Sequence, residues 1–295
     1  MATINQTRTL LRPVAVLSTC ALCAGVVGAP PAALTTHPTP SSHGALVADT
    51  PLVRLDRSQL EQRLAAARDS PPDLSNIDLS GVDLSGLDLK RANLVGARLA
   101  GARLVGANLF ACDLTDVVAT GGDFSHANLD GSVLRRADLR RANLEGASLF
   151  ATIVEAADLS EANLRETRII GYLRGAKLAG ADLRGSNAGA DPGNQSMGVM
   201  RATFVSADLT GADLSGANLF KADFSHAALT RAVLTGADLG NAELVQTDLT
   251  GADLTGAVLT KANVDGADFR EAVGVDQIKG LDEARNLDKA IFDAK

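Results

Sequence analysis

The feature that most constrains this chain is a five-residue period that fills most of its length. Residues 206–229, SADLTGADLSGANLFKADFSHAAL, repeat a small residue, Asp or Asn, a large apolar residue, a small polar residue and often Gly. The large apolar residue is called the centre of its repeat below. Five residues advance a helix by about 500°, and odd spacing alternates between the two faces of a strand. Neither regular element fits this period, and the frequent Gly predicts a turn in every repeat.

A chain that turns at every repeat keeps its small residue and its centre inward, because these two positions share one strand face. Asp or Asn between them then points outward. The sequence therefore predicts a coil wound around a Leu-filled axis, with successive coils stacked by backbone hydrogen bonds. An aromatic content of 3% and the absence of Trp suit such a narrow interior. The predicted core residues include Leu94, Leu99, Leu104, Leu109, Leu209, Leu214, Leu219 and Phe224.

The tandem A(D/N)LxG phrase resembles the pentapeptide-repeat family, and the resemblance runs from residue 73 to about residue 272. It implies an all-β fold, a right-handed quadrilateral parallel β-helix with four pentapeptides in each coil. One coil cannot bury its own apolar residues, so stability must come from stacking on neighbours. The two ends of the stack would expose Leu and unpaired strand edges, which predicts short helical caps.

The N-terminal residues predict export. Arg8 and Arg12 precede an uncharged, apolar run from Pro13 to Ala29, and small residues follow. This order is typical of a secretory signal peptide and predicts a periplasmic or secreted protein. An uncleaved membrane anchor is the alternative, since the run is nearly long enough to span a bilayer. Residues 30–56 are rich in Pro, Thr and Ser and are interpreted as a linker.

A short capping helix is predicted after the linker. Ser58-Gln59-Leu60-Glu61 has the pattern of a capping box and predicts a helix from about 58 to 68, stopped by Pro71 and Pro72. The whole chain is then divided into a signal peptide or anchor at 1–29, a linker at 30–56, a capping helix at 57–72, a β-helix at 73–183, a projecting loop at 184–200, a continued β-helix at 201–273 and a C-terminal cap at 274–295.

Interruptions of the repeat single out candidate surfaces. Val117–Gly122 keeps the count but loses a large centre, and Gly171-Tyr172-Leu173 shortens one repeat by a residue. The 184–200 segment abandons the pattern, and loops on rigid scaffolds often carry function, although a tolerated insertion is the alternative. The candidate partner-binding residues are Phe110, Phe150, Arg135, Arg136, Arg140, Arg141, Asp191, Asn194 and Met197.

Two different arguments select the aromatic and the basic candidates. Phe110 and Phe150 directly follow their centres, and two coils of a four-sided helix separate them, which places both on one exposed face. Four arginines between Arg135 and Arg141 form a basic cluster that suits phosphate or an acidic partner. The alternative is that these arginines only balance the outward carboxylates.

No catalytic or metal-binding pattern is present. The carboxylates occupy the outward slot of the repeat, so architecture explains their spacing, and there is no GxSxG, P-loop or HExxH motif. No Cys/His cluster has zinc-ligand spacing, and His126 and His226 are interpreted as exposed corner residues. We expect a protein that is not an enzyme, with no cofactor, no metal and no small-molecule substrate.

The predicted function is a non-catalytic, exported structural or protein-binding scaffold. A formal net charge of −7 argues against direct nucleic-acid binding, and an exposed end of the solenoid offers a surface for a homodimer. The resemblance implies an alternative, a cytoplasmic DNA mimic that binds DNA gyrase and modulates topoisomerase activity or quinolone resistance. The signal peptide and the arginine cluster argue against it. A third hypothesis, ice binding, rests on threonines one coil apart at Thr210, Thr230 and Thr250.

Overall fold

The computed structural model describes residues 52–67, 70–190 and 200–294. One compact unit runs from Thr50 to Lys295. The predicted signal peptide, and the linker up to residue 51, lie outside the described residues, as do Asp191, Asn194 and Met197 in the predicted loop.

The fold is a right-handed quadrilateral β-helix, which confirms the predicted fold class. Asp73 forms a parallel bridge with Asn93, and Asn93 forms one with Asp113, so each coil takes twenty residues, or four repeats. Each side of the coil contributes one column of bridging residues. Face 1 passes through Asp73 and Asn93, face 2 through Asp78 and Arg98, face 3 through Asp83 and Arg103, and face 4 through Asp88 and Asn108.

Longer regular elements are few, because most sides of the coil form only a single bridge. They are β1 (Val53–Arg54), α1 (Arg57–Ala67), β2 (Ile77–Asp78), β3 (Ser148–Ile153), β4 (Arg168–Tyr172) and two 3-10 helices (Val275–Gln277 and Leu287–Lys289). Strand β1 pairs in parallel with β2, and β3 pairs in parallel with β4.

A hydrogen-bonded turn closes most of the repeats. In a representative turn, the Ala97 N–H donates to the Leu94 carbonyl at 3.0 Å, and Gly96 between them has φ of 65°. A positive φ at the third residue is the requirement of a type II turn, and it explains the preference for Gly at this corner. The outward Asp or Asn also braces the turn, as where the Ser80 N–H donates to the Asp78 carboxylate at 2.9 Å. The Asp or Asn that recurs at this position of the repeat therefore stabilises the turn.

The centres and the small residues before them fill the axis of the coil. All eight predicted core residues are fully buried. The repeat that loses its large centre keeps Ala119 buried instead, and the ring of Phe124 in the next repeat fills the space beside Gly122. A Cβ at Gly122 would lie 2.9 Å from this ring, so the small and large residues compensate each other in volume.

The short repeat at Gly171 is absorbed by an irregularity between β3 and β4. Their register shifts between Phe150 and Ile153, and Asp158 consequently bridges to Lys177, one residue fewer than a full coil. Gly171 lies against the backbone of Thr152 with no room for a side chain. Because this repeat is one residue short, the backbones at Gly171 and Thr152 lie in direct contact, which only glycine allows.

Stacking continues across the inserted segment. Asn187 bridges to Asn218, 31 residues later, and their side-chain amides hydrogen-bond at 3.0 Å. The Leu183 N–H donates to the Asp213 carbonyl at 2.7 Å, which is the same contact that joins uninterrupted coils. The two runs of repeats are therefore one continuous stack.

Helix α1 lies at the N-terminal end of the stack, and its Leu60 is buried in the core cluster. The predicted capping box is wrong by two residues. Gln59 N–H donates to the Asp56 carboxylate at 2.9 Å, and the Gln59 side chain accepts from the Asp56 N–H at 2.9 Å. Asp56 is thus the N-cap, whereas Ser58 lies inside the helix and Glu61 forms an ion pair with Arg57.

The C-terminal end of the stack widens before it closes. Val258 bridges to Lys279 and Asp268 to Ile291, so these last sides are longer than five residues and hold the two 3-10 helices. The ring of Phe292 stacks on the buried ring of Phe269 at a centroid distance of 5.0 Å.

Candidate binding surfaces

The four clustered arginines lie on faces 1 and 2, and each has its own carboxylate. The Nε atoms donate from Arg135 to Glu155 at 3.1 Å, from Arg136 to Asp116 at 2.7 Å, from Arg140 to Asp138 at 2.8 Å and from Arg141 to Glu161 at 2.8 Å. The pKa of Asp138 is lowered from its usual value, mainly because its carboxylate accepts a hydrogen bond from the Arg140 side chain. These arginines balance neighbouring carboxylates, and their role toward a partner stays a prediction.

Face 4 carries the predicted aromatic residues. Phe110 is 41% exposed, Phe150 is half-buried, and Phe220 occupies the same position of the repeat further along this face. Each ring has a cation beside it. The Phe110 ring centroid lies 5.4 Å from Lys90 Nζ. The Phe150 centroid lies 4.2 Å from the Arg168 guanidinium carbon, and the Phe220 centroid lies 5.3 Å from Lys221 Nζ. We call this row of rings and cations the aromatic row.

Two other polar residues singled out in the sequence, Thr230 and His126, contact neighbouring coils. Among the threonines spaced one coil apart, the Thr230 hydroxyl donates to the Asp248 carboxylate at 2.9 Å. The His126 ring lies against Gly146, one coil further on. Within the described ranges, no group of three or more His, Cys, Asp or Glu could hold a metal ion.

Cys112 is a buried core residue. Its Sγ donates to the Leu89 carbonyl at 3.0 Å, and burial raises the pKa of the thiol to about 12. A thiol with such a pKa is protonated at neutral pH, which makes it a poor nucleophile.

Both ends of the stack expose apolar residues. Helix α1 covers the first coil but Val53 of β1 stays exposed, and the C-terminal end leaves Val273, Ile291 and Phe292 exposed. The homodimer through an end of the solenoid stays a prediction. In the described part of the chain, no helix has the length and hydropathy that crossing a bilayer requires.

A basic cleft at the corner between faces 4 and 1 was missed by the sequence interpretation. It has a volume of about 760 Å³ and is lined by Arg201, Lys221, Asn241, Glu243, Lys261 and Arg285. The available signal was the twenty-residue spacing of Arg201, Lys221, Asn241 and Lys261, which places them at the same corner of successive coils. Arg285 could not be added in this way, because the widened last coil breaks that spacing.

The fold and its surfaces define a solenoid that presents fixed rows of side chains. A family model described as pentapeptide repeats matches eight copies, over residues 73–109, 112–149, 200–236 and 237–273. The chain belongs to the pentapeptide-repeat family.

Similar solved structures carry the same repeat. HetL, a pentapeptide-repeat protein involved in heterocyst differentiation regulation in the cyanobacterium Nostoc, is 30% identical over 80% of this chain and 99% of its own, with a TM-score of 0.55. The Nostoc protein alr5209 is 32% identical over 38% of this chain and 82% of its own, with a TM-score of 0.30. QnrB1, a plasmid-mediated fluoroquinolone resistance protein, is 19% identical over 68% of this chain and 91% of its own, with a TM-score of 0.28. No curated protein sequence matches the chain.

Proposed function

We propose that the protein is an exported, non-catalytic scaffold that binds a protein partner through face 4. The observation that carries the proposal is the aromatic row. Phe110, Phe150 and Phe220 share the position after the centre, and together they span about five coils, or roughly 24 Å at ~4.8 Å per coil. Aromatic residues and arginine are enriched at protein interfaces.

The row also has the rigidity that a scaffold needs. The Phe110 N–H donates to Asn108 at 3.2 Å, and the Phe150 N–H donates to the Asp130 carboxylate at 2.9 Å. The backbone under both rings is thus held by the turns of the coil. A partner that docks on such a surface does not have to order it first, which lowers the entropic cost of binding.

A non-catalytic role agrees with how the chain uses its titratable groups. Asp carboxylates accept the N–H of the residue two positions on, as Asp213 does from Ser215 at 3.0 Å and Asp253 does from Thr255 at 3.0 Å. Other carboxylates pair with arginines. A general acid or base needs a pKa shifted toward neutrality, whereas the hydrogen bonds from Ser75 lower the pKa of Asp73.

Export is supported by the order of Arg8, Arg12, the apolar run from Pro13 to Ala29 and the small residues after it. The test is expression with a C-terminal tag, followed by cell fractionation and mass spectrometry of the mature N-terminus. A secreted or periplasmic product that begins near residue 29 is expected. A full-length cytoplasmic product would overturn the export, and a DNA gyrase supercoiling assay would then test the gyrase alternative.

Partner binding is tested by comparing two matched double variants. Phe110→Ser with Phe150→Ser removes two rings of the aromatic row, while Val105→Ser with Val205→Ser removes apolar side chains from the same repeat position on faces 3 and 1. Crosslinking in the native compartment should capture the same partner with the wild-type protein and the valine variant, and at least tenfold less with the phenylalanine variant. Equal capture by all three proteins would exclude face 4 as the binding surface.

A further inference from the structure

We propose that the basic cleft between faces 4 and 1 is a binding site for a linear anion that bears two or more phosphate groups. The proposal goes beyond the scaffold function, since it requires neither export nor a protein partner. It rests on two observations. The coil places two arginines and two lysines around one cleft, and the described residues of the cleft lining include a single carboxylate.

The central residues of the cleft are aligned by the stacking of successive coils. Lys221, Asn241 and Lys261 occupy the same left-handed corner of three successive coils, with φ of 61°, 56° and 59°. Their backbones are tied in series, because the Lys221 N–H donates to the Gly240 carbonyl and the Asn241 N–H donates to the Thr260 carbonyl, both at 2.9 Å. At ~4.8 Å per coil, the two lysines start about 10 Å apart with an amide side chain between them.

Two arginines form the ends of the cleft, and both are fixed to the lysine backbones. Arg201 donates to the Lys221 carbonyl at 3.4 Å and to the Asp223 carboxylate at 3.1 Å. Arg285 donates to the Lys261 carbonyl at 3.1 Å and to Glu243 at 2.8 Å. The guanidinium groups are therefore already positioned and lose little freedom when an anion binds.

Among the described residues, the two lysines of the cleft are not paired with a carboxylate, so both can contact a ligand. Glu243 is the carboxylate in the lining, and it already accepts hydrogen bonds from Arg285 and from Asn263 at 2.8 Å. Neither Lys221 nor Lys261 has a carboxylate within ion-pair distance among residues 52–67, 70–190 and 200–294. Lys221 instead lies over the Phe220 ring. The arginines from 135 to 141 are the opposite case, because each has its own acid.

The spacing of the cations favours a linear ligand. A chain of linked phosphates can contact Lys221, the Asn241 amide and Lys261 together, whereas a single small anion would contact both lysines only if their flexible side chains converged on it. The guanidinium group of arginine and the ammonium group of lysine are the side-chain groups that bind phosphate oxygens best. The long, open form of the cleft agrees with a linear ligand that lies along the solenoid axis.

The test is titration calorimetry of the full chain with inorganic tripolyphosphate near 0.15 M salt, where surface charges are screened over ~8 Å. Wild-type protein should bind it with a dissociation constant below ~1 mM. Lys221→Gln with Lys261→Gln should weaken binding about tenfold or more. Arg91→Gln with Arg231→Gln is the matched control, because it removes two charges from left-handed corners outside the cleft and should change binding less than about twofold.

Three results would overturn the proposal. The first is no binding by the wild-type protein at ~1 mM tripolyphosphate. The second is an equal loss in the lysine variant and in the arginine control, which would mean a general charge effect. The third is equally tight binding of citrate, which would mean a site for any multivalent anion. Failure of the partner capture on face 4 would leave all three measurements unaffected.

Discussion

Residue identity matters most where the repeat is irregular, and Gly171 is the clearest case. Most glycines among the described residues are at corners with positive φ, and at many of these, such as Gly211, the space around the missing Cβ is open. Gly171 differs because a Cβ there would overlap the carbonyl oxygen of Thr152 and lie 3.2 Å from the Thr152 nitrogen. These atoms belong to a neighbouring backbone, so they cannot move aside as a side chain could.

We therefore predict that Gly171→Ala lowers the free energy of unfolding by about 3 kcal/mol, since the β3–β4 pair must separate. Gly211→Ala is the control, because it adds the same methyl group into open space and costs about 1 kcal/mol for its left-handed backbone. Urea denaturation followed by circular dichroism measures both. Equal losses would show that the short repeat does not depend on the close approach at Gly171.

The residues that the sequence could identify are those whose position follows from the period alone. The burial of Leu94 or Leu209 follows from the period because every centre points to the axis. The turn-bracing role of Asp78 could not be derived, because it depends on a backbone N–H whose direction only the folded turn defines. The basic cluster from Arg135 to Arg141 is dense in sequence, but each side chain is neutralised by an acid on the same or an adjacent coil.

At the scale of elements, helix α1 shows how a cap is specified by residues outside the repeat. The sequence predicted the helix but placed its start at Ser58, because Ser58 and Glu61 match the usual capping pattern. The structure uses Asp56 and Gln59, which lie at the same spacing two residues earlier. Both patterns are allowed locally. The choice between them depends on the pairing of β1 with β2 and on the burial of Leu60, which are tertiary contacts.

We predict that Asp56→Ala lowers the free energy of unfolding by about 1 kcal/mol, whereas Ser58→Ala changes it by less than about 0.5 kcal/mol. Alanine at 56 leaves the Gln59 N–H without its acceptor at the start of α1. Ser58 only donates its hydroxyl to Asp56 at 2.8 Å on an exposed surface. Denaturant titration of the two single variants decides this, and a larger loss for Ser58→Ala would restore the cap that the sequence suggested.

At the scale of the whole molecule, the inserted segment raises the question of whether the two runs of repeats unfold separately. The contacts across the insertion are those of an ordinary coil boundary. Leu173 N–H donates to the Thr203 carbonyl at 2.8 Å, and Leu178 N–H donates to the Asp208 carbonyl at 2.6 Å. In a solenoid, stability is carried by such nearest-neighbour contacts, so an intact boundary couples the coils on both sides.

We predict a single unfolding transition that responds to changes on either side of the insertion. Leu109→Ala and Leu219→Ala each remove a fully buried centre, one before and one after residues 191–199, and each should cost about 3 kcal/mol. In thermal denaturation followed by circular dichroism, both variants should shift the same transition to lower temperature, because the coils between the two sites are joined without a break. Two transitions, of which each variant shifts only one, would mean that the boundary at residues 172–203 uncouples the runs despite its hydrogen bonds. The double variant sharpens the comparison, since distant sites in one cooperative unit lower its free energy of unfolding additively.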